Sequence, residues 1–147
     1  MANQLTLQAK SSLTALEDAN QTVSRWLIDL GAPAEIQHFA NLAIEEFGTN
    51  LIKYGYDDVN EHLMDVSLCL SGGKLVMTII DDGRAFNPLE APMPEVSGPL
   101  GERPIGGLGI YLMRKMSDRM EYVREGNKNR LKLQKAFREP ILGKATD

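Results

Sequence analysis

A glycine pair at Gly72-Gly73 most constrains how this chain can fold. Before the pair, apolar and polar residues alternate over residues 64–71, as in a strand that is buried on one face. After it, residues 74–81 form a second segment of strand character that is apolar on both faces. Two glycines between two strands are typical of a tight hairpin turn, because such turns need positive φ angles. The pair therefore predicts two antiparallel neighbouring strands.

The patterns around this hairpin predict helices before it and a second hairpin after it. A strand over residues 5–9 precedes a helix that Ser11 or Ser12 caps and Gly31 ends. A second helix spans residues 33–54, and its predicted buried stripe is Ile36, Ala40, Ala43, Phe47, Leu51 and Tyr54. A helix that begins with glycines is predicted over residues 106–117. Residues 119–125 and 129–137 are predicted to form a final hairpin. This order favours an α+β two-layer sandwich, with a mixed, mostly antiparallel sheet and helices on one face.

Residues 84–105 lack periodicity and hold five of the seven prolines. A loop of this length inside a small domain is usually functional, although a solvated excursion without a role is the alternative. Residues 138–147 show no periodicity either and predict a loose tail. With 147 residues and no internal repeat, the chain is predicted to form a single domain.

Composition excludes several classes of function. The net charge of −4 gives no basic field for nucleic acid. Cys69 is the one cysteine, which favours a reducing compartment, and His38 and His62 do not join it at a zinc-ligand spacing. The start of the sequence lacks a signal-peptide pattern, and no apolar run is long enough to span a bilayer. We therefore expect a cytoplasmic protein that binds neither nucleic acid nor membrane.

Glu46 and Asn50 are the first candidate functional residues. They lie four residues apart in the second predicted helix, which places them on one face, about 6 Å apart along the axis. The carboxylate can accept a proton, and the amide oxygen can ligate a hard cation such as Mg²⁺. Lys53 continues the same stripe. Because such a pair more often forms a solvated face, it needs support from elsewhere in the chain.

Two later stretches give that support. Asp81 ends a buried strand, where a carboxylate needs a donor such as the exocyclic amine of adenine, and Gly83 would let a planar base approach. Gly106, Gly107 and Gly109 expose backbone N–H groups at a helix start, which is an arrangement that binds phosphate. Each stretch also has a purely structural interpretation. The first can be an Asp-Gly turn, and the glycines of the second can serve tight helix packing.

In this order, three stretches resemble the ATP-binding domain of the GHKL superfamily. They are LAIEEFGTN at residues 42–50, IDDGRAFNP at 80–88 and GGLGIYLM at 106–113. Within that superfamily the chain looks like the single-domain anti-sigma-factor serine/threonine kinases of the RsbW/SpoIIAB type. The resemblance covers residues 5–137 and implies the Bergerat ATP-binding fold.

The resemblance also implies a role for each matching residue. Glu46 would be the general base, Asn50 the Mg²⁺ ligand, and Asp81 and Gly83 the adenine contacts. Residues 84–105 would be the ATP lid, although Asn87 stands where relatives often carry Asp. The remaining implied nucleotide contacts are Lys53, Phe86, Arg103, Gly106, Gly107, Leu108 and Gly109.

The implied function is a switch kinase. It would transfer the γ-phosphoryl group of ATP to a serine of a STAS-type antagonist and would otherwise sequester a sigma factor, as a homodimer. An ATP-binding regulator that sequesters its partner without kinase activity is the alternative, and a simple ATPase is a third possibility. Glu46 favours transfer, because binding alone needs no base. The absence of a sensor or phosphoacceptor-histidine module in this sequence argues against a histidine kinase.

Overall fold

The computed structural model describes residues 3–58, 60–92 and 108–138, which form five strands and three helices. In chain order these elements are β1 (Asn3–Lys10), α1 (Leu13–Asp29), α2 (Ala34–Tyr54), β2 (Leu63–Ser71), β3 (Lys74–Asp81), α3 (Leu108–Met116), β4 (Arg119–Glu125) and β5 (Lys128–Ala136).

The five strands form one sheet in the order β1-β2-β3-β5-β4. Each pairing among the described strands is antiparallel, so the predicted antiparallel character is confirmed. Gly72 and Gly73 have φ angles of 58° and 72°, as the predicted hairpin requires, and Gly126 turns the second hairpin with a φ of 59°. The register of β3 and β5 places Asp81, the last residue of β3, opposite Asn129, near the start of β5.

One face of the sheet and the three helices share a single core. Along β2 and β3 every second residue is buried, and Val66 and Met77 are fully enclosed. Phe39 from α2 and Met113 from α3 are equally buried against them. The two-layer α+β arrangement predicted from the sequence is therefore confirmed.

The helix ends follow the capping signals. The Ser12 hydroxyl accepts a hydrogen bond from the Ala15 backbone N–H at 3.1 Å, so Ser12 is the N-cap of α1. Gly31 adopts a φ of 76° just beyond the last turn. Pro33 is the N-cap of α2.

Tyr54 was wrongly predicted to belong to the buried stripe of α2. Its side chain is 63% exposed, whereas Ile36 and Leu51 on the same stripe are buried. Because Tyr54 is the last residue of α2 and stands at a cleft, helical periodicity there no longer corresponds to contact with the core.

Several predicted segments are described in part. Residues 84–92 contain turns without a helix or strand, as their lack of periodicity indicates, and residues 93–105 lie outside the described ranges. The predicted helix over residues 106–117 is seen as Leu108–Met116. Of the predicted tail, residues 139–147 also lie outside. No helix within the described residues is both long and apolar enough to cross a membrane.

Candidate functional site

A cleft of about 270 Å³ opens between the second half of α2 and the ends of β3 and β5. Most of its wall is apolar, with a small number of polar groups. The lining residues are Phe47, Asn50, Leu51, Tyr54, Gly55, Ile79, Asp81, Arg84, Ala85, Phe86, Pro88, Tyr122, Asn129 and Leu131. A concave, largely apolar wall with a few convergent polar groups is typical of a small-molecule site. The cleft brings together three predicted residues from two separate stretches: Asn50 from the first, and Asp81 and Phe86 from the second.

The Asp81 carboxylate is oriented by two donors. Its Oδ1 accepts the Gly83 backbone N–H and the Asn129 Nδ2, each at 2.9 Å. Within the described residues no hydrogen bond reaches Oδ2, so this oxygen is available to a donor in the cleft. A charged acceptor held in one orientation selects a ligand that presents an N–H group.

Asn129 is the residue that sequence reasoning missed. Only 6% of it is exposed, and its Nδ2 also donates to the Arg84 carbonyl at 2.9 Å. Its Oδ1 accepts the Phe86 backbone N–H at 3.3 Å and the Tyr122 hydroxyl. The sequence does contain a sign of this role. Asn129 lies two residues before the buried Leu131 in β5, so both side chains are on the same buried face of the strand. A polar residue in an apolar phase indicates a buried hydrogen-bonding role.

Hydrogen bonds hold the turn after β3 against the residue that follows α2 and against β4. The Arg84 N–H donates to the Gly55 carbonyl, and the Arg124 Nη1 donates to the Gly83 carbonyl, both at 2.7 Å. Gly83 is buried, and a Cβ there would lie 2.6 Å from the Leu51 Cδ1. A side chain at position 83 would displace the Leu51 side chain, so close packing beneath α2 favours a glycine there, whatever the cleft binds.

Glu46 stands one turn before Asn50, where α2 meets α3. Its side chain is half-buried, and it occupies the space beside the α-carbon of Gly109. Burial is the main cause that raises the Glu46 pKa, the nearby Glu45 carboxylate raises it further, and the Lys53 ammonium lowers it. Glu46 does not itself line the cleft, but a half-buried carboxylate with a raised pKa, one turn from the cleft residue Asn50, is a candidate proton acceptor.

The other predicted site residues are not gathered at the cleft. Lys53 is exposed and acts on Glu46 only through its charge, and Leu108 is 46% exposed at the start of α3. Neither of them lines the cleft, and the predicted site residues Gly83 and Gly109 are not among its lining residues either. Arg103, Gly106 and Gly107 lie outside the described residues.

A polar cluster that was not anticipated flanks the Asp81 end of β3. The Tyr56 ring stacks on His62 with centroids 3.6 Å apart, and the Tyr56 hydroxyl donates to Asp82 Oδ1 at 2.5 Å. The His62 Nε2 lies 2.8 Å from Asp58 Oδ1. Burial and then the hydrogen bond to Asp82 raise the Tyr56 pKa, while the hydrogen bond with His62 lowers the Asp58 pKa. The cluster ties the loop after α2 to the residue that follows β3.

The profile of the histidine kinase-like ATPase domain family matches residues 9–135. No curated protein matches the chain. Among solved structures, the RsbU and RsbW domains of Rv1364c from Mycobacterium tuberculosis are similar, with a TM-score of 0.67 and 18% identity. The match covers 94% of this chain and 33% of the matched chain, so this chain spans about a third of the length of the matched chain. At this identity the structural likeness shows a shared fold.

The family match spans nearly every described element and includes both the Glu46 and the Asp81 stretches. It agrees with the GHKL resemblance seen in the sequence and with the cleft between α2 and the ends of β3 and β5. This chain belongs to the histidine kinase-like ATPase domain family.

Proposed function

We propose that this protein is an ATP-dependent protein serine/threonine kinase of the anti-sigma-factor type. One observation carries the proposal. A half-buried carboxylate, Glu46, stands one helical turn from an amide, Asn50, that lines the cleft where Asp81 is held. The family match supports ATP as the ligand, and the likeness to a structure that includes an RsbW domain supports the kinase type.

The cleft suits the adenine base of ATP. Asp81 Oδ2 would accept the exocyclic amine, while apolar side chains such as Phe47 and Leu131 would cover the faces of the ring. The Asp81 carboxylate disfavours guanine, whose carbonyl oxygen would face another acceptor at that position. The glycines at 106, 107 and 109 would then meet the phosphates with backbone N–H groups.

The donor chemistry of the rim fits Mg²⁺. Within the described residues no group of three or more His, Cys, Asp or Glu side chains could hold a metal ion. The cation would therefore use the Asn50 amide oxygen together with phosphate oxygens and water, which is how Mg²⁺ commonly binds in nucleotide sites. When bound, Mg²⁺ would neutralise charge on the transferring phosphoryl group.

Glu46 would act on the acceptor. The serine Oγ of the substrate protein would attack the γ-phosphorus, the bond from that phosphorus to the bridging oxygen would break, and ADP would leave. The proton of the serine hydroxyl would pass to the Glu46 carboxylate, which must approach within roughly 2.6–3.2 Å of Oγ or act through a water. The products are a phosphoserine, ADP and a protonated Glu46, which returns its proton to solvent.

The partners of this reaction belong to the proposal as well. The acceptor would be a STAS-type antagonist, and the unphosphorylated antagonist would compete with a sigma factor for the kinase. The protein would work in the cytoplasm as a homodimer, with residues 84–105 as the ATP lid of a single domain. The alternative is an ATP-binding regulator that sequesters its partner without transferring phosphate.

Labelled ATP separates these functions. The protein is incubated with γ-³²P-ATP and Mg²⁺, alone and with each STAS protein of the same cell, and phosphoserine is located by mass spectrometry. Label on one STAS protein that disappears with Glu46→Gln supports the kinase. Release of free phosphate without labelled protein indicates an ATPase. Nucleotide binding with neither product, in a protein that still captures its partner, indicates the non-kinase regulator and overturns the proposal.

A further inference from the structure

Glu46 and Gly109 share one space at the junction of α2 and α3. A Cβ atom built on Gly109 would overlap the carboxylate carbon and both carboxylate oxygens of Glu46. The Glu46 carboxylate therefore occupies the volume that any larger residue at position 109 would fill. Glu46 and Gly109 come from stretches far apart in the sequence, so their contact is a product of the tertiary fold.

The helix that carries Gly109 is anchored independently of this contact. Ile110 and Met113 on α3 are buried in the core, with exposures of 7% and 0%. A methyl group at position 109 would meet the far end of a flexible side chain rather than backbone. The collision would therefore be relieved by moving the Glu46 carboxylate, because rotating a long side chain costs less than displacing an anchored helix.

We propose that Gly109 is a positioning residue for Glu46, and that the missing side chain at 109 allows α3 to set the place of the carboxylate. The positional claim rests on the observed contact alone. The consequence for phosphoryl transfer rests on the proposed function, in which Glu46 is the base. The backbone N–H of Gly109 remains available to phosphate, so the two roles of this glycine are separable.

The charged groups around Glu46 are consistent with a carboxylate placed by packing. On α2, Glu45 raises and Lys53 lowers its pKa, and both act less than burial does. On α3 the two cationic side chains have other contacts, since the Arg114 Nη1 donates to the Ala91 carbonyl and Lys115 lies over the Tyr111 ring. Burial at the α2–α3 junction therefore raises the Glu46 pKa more than either neighbouring charge changes it.

Gly109→Ala tests the proposal because it adds the colliding methyl group and keeps the backbone N–H. The Glu46 carboxyl is followed by carbon-13 NMR in glutamate-labelled protein and assigned with Glu46→Gln. We expect its pKa to fall towards that of an exposed glutamate in Gly109→Ala, because the carboxylate is pushed into solvent. Leu112→Ala, an exposed position on the same helix, is the matched control and should leave the Glu46 titration unchanged.

Transfer is measured at saturating Mg·ATP, so that a change in affinity does not contribute. Gly109→Ala should lower the transfer rate by about 10-fold to 100-fold, as expected for a misplaced reactive group. In a Glu46→Gln background, Gly109→Ala should lower the transfer rate by a further factor of less than about two. The reason is that the two residues act as one unit, so the second change removes little that the first has left. An equal loss in both backgrounds would mean that Gly109 acts on the nucleotide directly, and the proposal would be wrong.

The NMR titration keeps the test independent of kinase activity. If wild-type protein phosphorylates no acceptor, the proposed function fails while the positional claim is still decided by the Glu46 pKa. An unchanged Glu46 pKa in folded Gly109→Ala overturns the claim. If Gly109→Ala does not fold, Glu46→Asp replaces it, since a side chain one methylene shorter withdraws from Gly109. The carboxyl at position 46 should then titrate as an exposed aspartate, and a raised pKa would contradict the proposal.

Discussion

Two regions of the molecule hold a carboxylate in different ways. One is the floor of the cleft, where Asp81 meets Asn129, and the other is the α2–α3 junction, where Glu46 meets Gly109. At the floor, Asp81 is fixed by hydrogen bonds from Gly83 and Asn129, and Asn129 is itself saturated with partners. At the junction, the Glu46 side chain lies half-buried beside Gly109. A hydrogen-bonded carboxylate is preorganised for recognition, whereas one placed by packing can move when its neighbour moves. Under the proposed function, the site would therefore combine a rigid recognition element, Asp81, with an adjustable reactive one, Glu46.

The largest expected effect comes from a change at the junction, and it is a loss in the rate of phosphoryl transfer. Glu46→Gln keeps the side-chain volume and removes the base, so transfer should drop by about 10²–10⁴ while nucleotide affinity changes little. Rates and calorimetric affinities measured on one preparation separate the two. Glu45→Gln is the control, because Glu45 is exposed and points about 100° away around the helix. Full activity of Glu46→Gln together with loss in Glu45→Gln would show that the assignment of the base is wrong.

The next effect is at the floor and falls on stability. Asn129→Ala removes one of the two donors to Asp81 Oδ1, and it removes the partners that Asn129 gives to the Arg84 carbonyl and the Phe86 N–H. Because each unsatisfied buried group costs about 1–3 kcal/mol, and water can satisfy part of the set, we expect a loss of about 2–4 kcal/mol in unfolding free energy.

Chemical denaturation at constant m-value measures this loss. Asn127→Ala in the exposed turn of the same hairpin is its matched control and should change stability by less than about 0.5 kcal/mol. Equal stabilities of the two variants would show that the floor is not organised by Asn129, and the contrast between the two regions would disappear.

A smaller effect at the floor falls on affinity. Asp81→Asn can keep the acceptor for Gly83 and Asn129 and turn its NH₂ group towards the cleft. That group would oppose the amine of adenine, so affinity for Mg·ATP should fall about tenfold or more, equivalent to about 1.4 kcal/mol. Calorimetry with ATP and GTP tests base recognition, and wild-type affinity for ATP would refute the adenine assignment.

The smallest effect lies beside the floor, where Asp58 contacts His62. The hydrogen bond with His62 lowers the Asp58 pKa in the folded state, so this group contributes stability above the unfolded aspartate pKa of about 3.9. That contribution is lost as pH falls through the lowered folded value. Thermal melts from pH 3 to 7 should therefore show wild type slightly more stable than Asp58→Asn near neutrality, with the difference vanishing in acid. Asp18→Asn on α1 controls for removing an exposed carboxylate. A difference that persists at the acid end would contradict the assignment.

Local rules were enough for most of the fold. Glycines with positive φ mark both hairpins, Ser12 caps α1, and the alternation of β2 matches its burial. Turns, caps and side-chain periods depend on neighbours in sequence, so they can be predicted from one chain. The placement of Glu46 and Asn50 on one face of α2 has the same local origin.

Tertiary structure alone decided how the site is assembled. The hydrogen bond between Asn129 and Asp81 joins residues 48 positions apart and depends on the register of β3 and β5. The exposure of Tyr54 depends on α2 ending at a cleft, and the contact of Glu46 with Gly109 depends on how α2 meets α3. The sequence by itself determined the elements and the reactive residue types, because dihedral preferences and periodicity act over a few residues. Only packing decided which of those residues meet, because register and helix docking are set by the shared core.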